Sequence, residues 1–444
     1  MSNTRDANQQ IIMICCSDIA GRIRGKGIPV GQLEQRLATG VGWTPTNLMI
    51  TAHGPIADGP WGPFGDLFLR PDPVTRVDID PDGSGRFDRF ILADICQTDG
   101  SEWGCCPRHF LRRALAALQS EAGLTLKGAF EHEFHYDGVS EAPGSSYTLD
   151  AFRLQDNFGD LFLAALSSAG ITPDTFMPEY GPCQYEATVA PAAGITIADQ
   201  AVIFRETARA TAHRLGARVS FTPLVTPEAV GNGVHVHFSL MDATTGAPRN
   251  HDAGRPDGVS AVAARFLAGV LDKLPAITAL TAPSSISYLR LVPNRWSASY
   301  NNLSAQNREA ALRICPVFET ARADIAKQYH FEYRAADAAA SPYMVLGAIV
   351  WAGLHGIRNA SLPDPTAIAT DPQAMTPEQR QEHGLTRLPQ SLSAALDLLR
   401  ADADVKDWMG AEFHDAYLRH KQFEISLMAE LTADEQCARY HKIY

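Results

Sequence analysis

Three segments of the chain alternate charged or imidazole side chains with apolar ones at the two-residue period of a β-strand. In segment 128–136, one strand face would carry two carboxylates and an imidazole, from Glu131, Glu133 and His135. The opposite face would carry aromatic rings, from Phe130, Phe134 and Tyr136. Segments 234–239 and 331–334 repeat the pattern, with the polar positions His235, His237, Ser239, Glu332 and Arg334.

Charged groups on an inward strand face are costly to desolvate unless a cation or a reaction needs them. Carboxylate oxygens are the ligands that hard divalent cations prefer. The alternation therefore predicts a metal-dependent enzyme whose site lies on one face of a sheet.

Composition narrows the class of protein. With 444 residues, 45% of them hydrophobic, the chain is long enough for two or three domains with sizeable cores. A net charge of −12, without a cluster of Lys and Arg, argues against a nucleic-acid partner. The eight cysteines show no CxxC spacing, which favours reduced thiols in a cytosolic protein. A polar N-terminus, followed by only about five apolar residues, indicates neither a signal peptide nor a membrane span, so we expect a soluble cytoplasmic enzyme.

The order of apolar runs predicts an α+β fold in two parts. Short runs separated by turn residues predict strands at 11–16, 48–51, 75–79 and 90–95, with turns at 71–73 and 81–85. Helical spacing predicts helices at 107–122, 198–216, 259–280 and 342–357, and a charged helical tail from residue 404. We therefore expect a small β-rich domain over residues 1–106 and a larger α+β domain over residues 107–444.

Six motifs follow one another along the larger part. They are Phe-Glu-His-Glu-Phe at 130–134, Glu-Tyr-Gly-Pro-Cys-Gln-Tyr-Glu at 179–186, Gly-Asn-Gly-Val-His-Val-His-Phe-Ser-Leu at 231–240, Arg-Leu-Val-Pro at 290–293, Asn-Arg-Glu-Ala-Ala-Leu-Arg-Ile-Cys-Pro at 307–316 and Phe-Glu-Tyr-Arg at 331–334. In order and spacing they resemble the glutamine synthetase superfamily, from about residue 14 to the C-terminus. Segment 17–29 is closer to the branch of γ-glutamyl-amine ligases, such as γ-glutamylputrescine and γ-glutamylanilide synthetases.

The resemblance implies a fold, a reaction and an assembly. The fold is an N-terminal β-grasp domain and a catalytic domain whose antiparallel strands form a funnel. The assembly is a homo-oligomer, a dodecamer of two stacked hexamers, with each site between adjacent subunits. ATP phosphorylates the γ-carboxylate of L-glutamate, and an amine then displaces phosphate, with two to three Mg²⁺ or Mn²⁺ ions per site.

The resemblance also assigns roles to residues of this chain. One metal position would be held by Glu133, Glu179 and Glu186, and another by Glu131, His235 and Glu332. The nucleotide would contact His237, Ser239, Arg313 and Lys327. The phosphate groups would be bound by Arg308, Arg313 and Arg334. The glutamate substrate would be held by Arg290, with Gly231 near its amino group. Asp66 matches a family acid of the ammonium site and joins Arg308 and Arg313 as a catalytic candidate.

Two positions depart from the ammonia-using members of the family. Thr44 stands where they carry an Asp, and Trp296 stands where the closing flap carries a Glu, with Arg295 beside it. Losing two carboxylates removes several kcal/mol of stabilisation of a small cation, at an effective dielectric constant on the order of 20. We therefore expect Thr44 and Trp296 to line a pocket for a larger amine. An aniline-like amine fits best, because it is already neutral at pH 7.

Several alternatives stay open at this level. A cationic alkylamine could lie against the indole of Trp296, whereas a polyamine would require several acidic residues at the entrance of the site. A true glutamine synthetase and a non-catalytic homologue are the other two readings. Val230 replaces a family Asn, so the acid substrate could be an analogue of glutamate. Thr386 stands where bacterial members carry the adenylylated Tyr, so we predict no regulation by that modification.

Overall fold

The computed structural model describes residues 10–80, 83–85, 88–140, 144–318, 320 and 324–444. Residues 1–9, on which the prediction about a signal peptide depends, and part of the turn predicted at 81–85 lie outside the described residues. The chain folds into two sheets with associated helices, which confirms the predicted α+β class.

The N-terminal sheet contains six strands within the described residues. They are β1 (Ile11–Ser17), β2 (Ile23–Pro29), β3 (Val41–Trp43), β4 (Leu67–Pro71), β5 (Val77–Ile79) and β6 (Asp88–Gln97). One helix, α1 (Leu33–Thr39), follows the β1–β2 hairpin. The strand order is β2-β1-β6-β4-β3, and β5 pairs with β6. Since β1 and β6 run parallel in the middle of this sheet, the arrangement agrees with the expected β-grasp domain.

The strand predicted at 48–51 is wrong. Residues Pro45–Met49 form a 3₁₀ helix instead, and only an isolated bridge joins Ile50 to Ile56. Pro45 supplies the fixed φ of the first helical position, and the turn buries Leu48 and Met49 without a ladder. An apolar run of this length does not distinguish a strand from a short helix by its periodicity.

The second sheet has nine strands among the described residues. They are β7 (Leu124–Tyr136), β8 (Pro173–Pro178), β9 (Gln184–Val189), β10 (Ala192–Ala193), β11 (Val219–Ser220), β12 (Val234–Asp242), β13 (Leu303–Ser304), β14 (Leu312–Ile314) and β15 (Phe331–Ala336). Their order is β13-β14-β15-β12-β7-β9-β8, with β10 and β11 also paired to β7. Apart from the parallel β13–β14 pair, the recorded pairings are antiparallel. The three segments with alternating polarity are β7, β12 and β15, which lie side by side.

The helices agree with the predicted ranges to within a few residues. They are α2 (Pro107–Ala122), α3 (Leu149–Leu154), α4 (Phe158–Ser168), α5 (Thr196–Arg214), α6 (Ala261–Thr281), α7 (Ser287–Arg290), α8 (Ile325–Gln328), α9 (Pro342–Arg358), α10 (Pro377–Glu382), α11 (Leu392–Ala401), α12 (Ala403–Met409), α13 (Ala411–Met428) and α14 (Ala433–His441). Glycines let α6 and α9 touch along their backbones, because a Cβ on Gly269 would lie 2.1 Å from the carbonyl oxygen of Ala352. No described helix is long and apolar enough to span a membrane.

The aromatic face of β7 packs into the core. The ring of Phe134 lies 6.1 Å from that of Phe158 and 6.2 Å from that of Phe162, both on α4. His132, on the same face, stacks on Phe204 of α5 at 4.6 Å. The burial of this face against α4 and α5 fixes the orientation of β7, so the other face of the strand points away from these helices.

Candidate active site

The strand register places the charged side chains of five strands on one face of the sheet. Residues directly opposite each other in an antiparallel pair point to the same side. Glu131 on β7 is opposite His235 on β12, and Glu133 is opposite Glu186 on β9. Further along the sheet, Glu332 on β15 is opposite both His237 on β12 and Arg313 on β14. The sheet therefore assembles residues that are about 200 positions apart in sequence.

These side chains line a cavity of about 400 Å³, which we call the acid cavity. Its lining residues are Glu131, Tyr147, Met177, Glu179, Glu186, His237, Trp296, Arg308, Arg313 and Glu332. An adjoining narrower pocket adds Glu133, Tyr180, Val230, Gly231, His235, Arg290, Arg295 and Arg334. All six predicted metal ligands and the four predicted substrate or phosphate arginines thus surround one space.

Crowding of carboxylates perturbs one side of the acid cavity. Burial raises the pKa of Glu186 to about 10, and the charges of Glu131 and Glu133 add to the effect. Burial and the neighbouring charge of Glu133 also raise the pKa of Glu179. A bound cation would offset the repulsion between such buried carboxylates. This side of the cavity has the donor set that hard divalent cations prefer.

The other side of the cavity contains compensated charges. Glu332, which is 1% exposed, forms ion pairs with Arg313, at 2.5 Å, and with Arg334. Burial would raise the pKa of Glu332, but the charges of His235 and Arg334 outweigh it and lower the pKa to about 2. His235 Nδ1 in turn lies 2.6 Å from Glu131 Oε1. The network holds both arginines in place on the cavity wall.

Three arginines keep a buried donor unsatisfied. The Nε atoms of Arg290, Arg313 and Arg334 are buried and have no hydrogen-bond partner among the described residues. Arg290 is otherwise held by Ser297 Oγ at 3.1 Å and by the carbonyl oxygen of Ala336 at 2.6 Å. An unpaired buried N–H is costly, and a carboxylate or phosphate oxygen is its usual partner in such a site. The three arginines therefore place incompletely paired positive charge around the cavity and its adjoining pocket, which favours an anionic ligand there.

Gly231 leaves room for the side chain of Arg290 because it has no side chain of its own. A Cβ at this position would lie 2.4 Å from Cγ and 2.5 Å from Cδ of Arg290. Any other residue would displace Arg290, so the glycine allows the guanidinium to reach the cavity wall.

The segment that follows Arg290 forms a flap at the mouth of the cavity. The side chain of Trp296 is 64% exposed, and its backbone adopts a left-handed φ of 54°. Glu309 holds this conformation by accepting hydrogen bonds from the backbone N–H groups of Asn294 and Trp296, both at 2.9 Å. Arg295 donates to the carbonyl oxygens of Pro227 and Ala229, which ties the flap to the loop before Gly231.

A second cavity of about 580 Å³ lies along β7 and β12, and we call it the β7–β12 cavity. It contains the remaining predicted nucleotide contacts, Ser239 and Lys327, and it shares His237 and Glu131 with the acid cavity. Lys127 and His330 also line it. A ligand that occupies both cavities would pass beside His237.

Two predicted residues lie elsewhere. Thr44 directly follows β3 and Asp66 directly precedes β4, so the two are neighbours at one end of the N-terminal sheet. The hydroxyl of Thr44 donates to the carbonyl oxygen of Gly65 at 3.4 Å, and Asp66 is exposed. Neither residue lines the acid cavity of its own chain.

The sequence did not indicate several residues of the cavity wall. Tyr147 donates a hydrogen bond to Glu179 Oε2 at 3.0 Å, and Tyr180 contributes its backbone N–H to the same oxygen at 2.8 Å. Tyr147 lies in a loop with a left-handed φ of 59°, where no periodic pattern marks its orientation. In the sequence, the position of Tyr180 directly after the predicted metal ligand Glu179 is a weak signal, and Tyr147 has no such neighbour.

The raised pKa of Glu186 predicts proton release when a cation binds. Because Glu186 is protonated at pH 7 without a cation, Mg²⁺ or Mn²⁺ should displace about one proton per chain at that pH. The apparent affinity for the cation should rise by about tenfold per pH unit between pH 7 and the pKa. Titration calorimetry in buffers with different ionisation enthalpies measures the released protons.

The Glu186→Gln variant should bind the cation more weakly and release fewer protons. Glu34→Gln, at an exposed position on α1, is the matched control and should release as many protons as the unmodified chain. Equal proton release from the Glu186→Gln variant and the control would contradict the assignment of the raised pKa to Glu186.

Comparisons with known proteins identify the family. The model described as "Glutamine synthetase N-terminal domain" matches residues 2–103, and the one described as "Glutamine synthetase, catalytic domain" matches residues 104–440. Gamma-glutamylpolyamine synthetase GlnA3 of Streptomyces coelicolor is 33% identical over 449 residues, which cover 98% of this chain and 93% of that protein. A glutamine synthetase of Pyrococcus furiosus is 30% identical over 94% of this chain and 89% of its own length.

Solved structures agree with this result. A crystal structure described as a novel glutamine synthase homolog superposes with a TM-score of 0.91 at 38% identity and covers all of both chains. A GmaS/ADP complex shares the fold, with a TM-score of 0.81 at 23% identity over 96% of this chain and 95% of that one. The resemblance inferred from the six motifs is confirmed, and the chain belongs to the glutamine synthetase family.

Proposed function

We propose that this protein is an ATP-dependent ligase that joins the γ-carboxylate of L-glutamate to an amine other than ammonia. The observation that carries the proposal is the acid cavity with its adjoining pocket, where clustered carboxylates lie near three arginines whose buried Nε–H groups have no partner among the described residues. Cations and anions bound together would offset the charges on both walls. Membership of the glutamine synthetase family, whose members use ATP and divalent metals, supports the same conclusion.

Two groups of residues would hold the divalent cations, Mg²⁺ or Mn²⁺. Glu133, Glu179 and Glu186 form one group, and Glu131, His235 and Glu332 form the other. The cluster fits such ions, because a divalent charge would offset the repulsion that raises the pKa of Glu186. The bound ions would neutralise oxygens of the triphosphate and of the carboxylate substrate.

The nucleotide would lie along the β7–β12 cavity with its phosphates toward the acid cavity. His237, shared by both cavities, would contact the nucleotide at the passage between them. Ser239 and Lys327 would contact it further out, and Arg313 would meet it on the acid-cavity side. The volume of about 580 Å³ is typical of a cavity for a ligand of this size.

The reaction would proceed in two displacements. In the first, an oxygen of the γ-carboxylate of glutamate bonds to the γ-phosphorus, the bond to the bridging β–γ oxygen breaks, and ADP leaves. In the second, the amine nitrogen bonds to the acyl carbon, phosphate leaves, and the nitrogen loses a proton. Arg290 would hold the glutamate, with Gly231 beside its amino group, while Arg308 and Arg334 stabilise the transferring phosphoryl group.

The acceptor would be an amine that contacts aromatic side chains. Trp296, Tyr147 and Tyr180 line the same space near the mouth, and they offer flat apolar surface to an aniline-like amine. A weakly basic amine of this kind needs no carboxylate to remove its proton at pH 7. The second candidate is a polyamine, favoured by the acidic Glu179 beside these rings and by the similarity to a gamma-glutamylpolyamine synthetase of Streptomyces coelicolor.

Trp296→Ala should change the choice of acceptor. We expect kcat/KM for aniline to fall by about tenfold relative to that for ammonium, because an aromatic contact is lost. Trp296→Phe, which keeps an aromatic face, should retain most of the preference. Steady-state kinetics with each amine measure the ratio. An equal change with both amines in Trp296→Ala would mean that the indole only closes the flap.

We further propose that a neighbouring subunit completes the site in a homo-oligomer of two stacked hexamers. Thr44 and Asp66 support this, because they lie outside the acid cavity of their own chain and could face that of a neighbour. The eight cysteines are reduced thiols, which favours a cytoplasmic location. We also propose that the boundary between the N-terminal and catalytic domains lies between residues 106 and 107. Native mass spectrometry tests the assembly.

The ligase activity is tested by phosphate release from ATP with Mg²⁺ and L-glutamate, one amine at a time. The panel contains ammonium, methylamine, isopropylamine, ethanolamine, putrescine and aniline, and the mass of each product identifies the amide. Amine-dependent release with a γ-glutamyl product supports the proposal. Release with ammonium alone would indicate a true glutamine synthetase, and no release with any amine would indicate a non-catalytic homologue.

A further inference from the structure

Cys315, His237 and His330 form a cluster between the two cavities. Cys315 follows β14, His237 lies on β12, and His330 directly precedes β15. Cys315 Sγ lies 3.6 Å from His237 Nδ1, which lies 3.2 Å from His330 Nε2. The sulfur and both ring nitrogens all lie within 4.8 Å of one another. None of the motif assignments uses Cys315 or His330.

Two of the three spacings match the edges of a tetrahedral zinc site. With Zn–N bonds near 2.05 Å and a Zn–S bond near 2.3 Å, tetrahedral angles place two nitrogens about 3.3 Å apart and a nitrogen and a sulfur about 3.6 Å apart. The observed separations are 3.2 Å and 3.6 Å. The third separation, between Cys315 Sγ and the ring nitrogen of His330, is within 4.8 Å.

Outer contacts orient both imidazoles as ligands. His330 Nδ1 lies 2.6 Å from the carbonyl oxygen of Gln328, which can only accept, so the nitrogen carries the hydrogen and Nε2 has the lone pair. His237 Nε2 lies 3.3 Å from Glu131 Oε2, an ion-pair contact without hydrogen-bond geometry, and a hydrogen on Nε2 would leave the lone pair on Nδ1. Metal-binding histidines in proteins are usually held in this way by a carbonyl or a carboxylate.

We propose that His237, Cys315 and His330 bind a zinc-class ion, beside the oxygen-rich position for Mg²⁺ or Mn²⁺ whose ligands Glu131 and Glu332 they contact. The mixed thiolate and imidazole donors select Zn²⁺ over Mg²⁺. Binding releases the proton of the thiol to solvent. Because His237 and His330 line the β7–β12 cavity, the fourth position of the ion faces that cavity and is open to water or to an anionic oxygen.

Another cysteine provides the matched control. Cys106 also belongs to a cluster, with Asp94 and His109, but all three side chains are buried. Asp94 there is already paired with Arg108 at 2.9 Å and with Arg112 at 3.1 Å. The cationic partners leave no need for a metal ion, so we expect this cluster to bind none.

The test uses the metal-free full-length protein in saturating Mg²⁺, titrated with Co²⁺ as a spectroscopic substitute for Zn²⁺. A thiolate-to-cobalt charge-transfer band should saturate at about one ion per chain and disappear when Zn²⁺ is added. Cys315→Ser should abolish the band, and Cys106→Ser should leave it intact. His330→Gln, at a partly exposed position, should weaken Co²⁺ binding by at least about tenfold.

Circular dichroism establishes that each variant is folded before the titration. If the unmodified protein gives no charge-transfer band, or if the band persists unchanged in Cys315→Ser, the proposed site does not exist. A band that depends on Cys106 would assign the ion to the other cluster and would equally overturn the proposal. Because the readout is absorbance, the result does not depend on whether the protein acts as a ligase.

Discussion

Replacement of Arg308 by alanine should lower kcat by about 10³-fold while the fold stays intact. Arg313 and Arg334 are both tied to Glu332, whereas Arg308 is exposed and has no recorded partner within the described part of the chain. It lines the acid cavity and its adjoining pocket. Arg308 is thus the guanidinium that is free to follow the phosphoryl group as its charge develops.

The kinetic pattern separates this role from simple binding. Loss of a contact made only in the transition state lowers kcat and kcat/KM equally, with little change in KM for ATP. Because Arg308 is exposed, the free energy of unfolding should change by less than about 0.5 kcal/mol. Arg400→Ala, a half-exposed arginine on α11, is the control and should keep full activity. If Arg308→Ala raised KM and left kcat unchanged, Arg308 would be a ground-state binding residue.

Glu332→Gln should cost about 3–5 kcal/mol of the free energy of unfolding. The substitution keeps the shape of the side chain but leaves the buried Arg313 and Arg334 without their shared carboxylate. Chemical denaturation at one fixed protein concentration measures the loss. Glu121→Gln is the control, because its pair with Arg358 is 43% exposed on each side and should contribute at most about 1 kcal/mol.

The pH dependence of the same variant has a defined sign. The pKa of Glu332 is lowered to about 2 in the folded protein, from 4.5. Its contribution to stability is therefore present above about pH 4.5 and is lost as the pH falls toward 2. Glu332→Gln should remove this part of the acid sensitivity. A variant that was as stable as the unmodified protein at pH 7 would refute the account of the buried network.

The sequence predicted the faces of the site strands but not their neighbours. The alternation in β7, β12 and β15 depends only on the two-residue period, and the burial of Phe130, Phe134 and Tyr136 confirms it. The pairing of Glu131 with His235 or of Glu133 with Glu186 depends on long-range register. Only the order of the six motifs, compared with a known family, indicated which strands would meet.

Other features depend on contacts that leave no pattern in a sequence. The 3₁₀ helix at Pro45–Met49 overlaps the strand predicted at 48–51, and a short apolar run fits either element, so hydrophobicity could not separate them. Tyr147 reaches Glu179 from a loop, and Glu309 holds the flap through backbone N–H groups. The cluster of Cys315 and His330 arises because two strand ends meet, which is a property of the folded sheet.

The acceptor amine is the central claim, and direct competition tests it. Equal concentrations of ammonium, aniline and putrescine are mixed with enzyme, L-glutamate, ATP and Mg²⁺, and the amide products are quantified by mass. We expect γ-glutamylanilide to exceed glutamine by at least about tenfold, because Thr44 and Trp296 replace two carboxylates that an ammonium ion needs. A majority of γ-glutamylputrescine would contradict the aromatic acceptor and favour the polyamine. A majority of glutamine would contradict the claim that the acceptor is an amine other than ammonia.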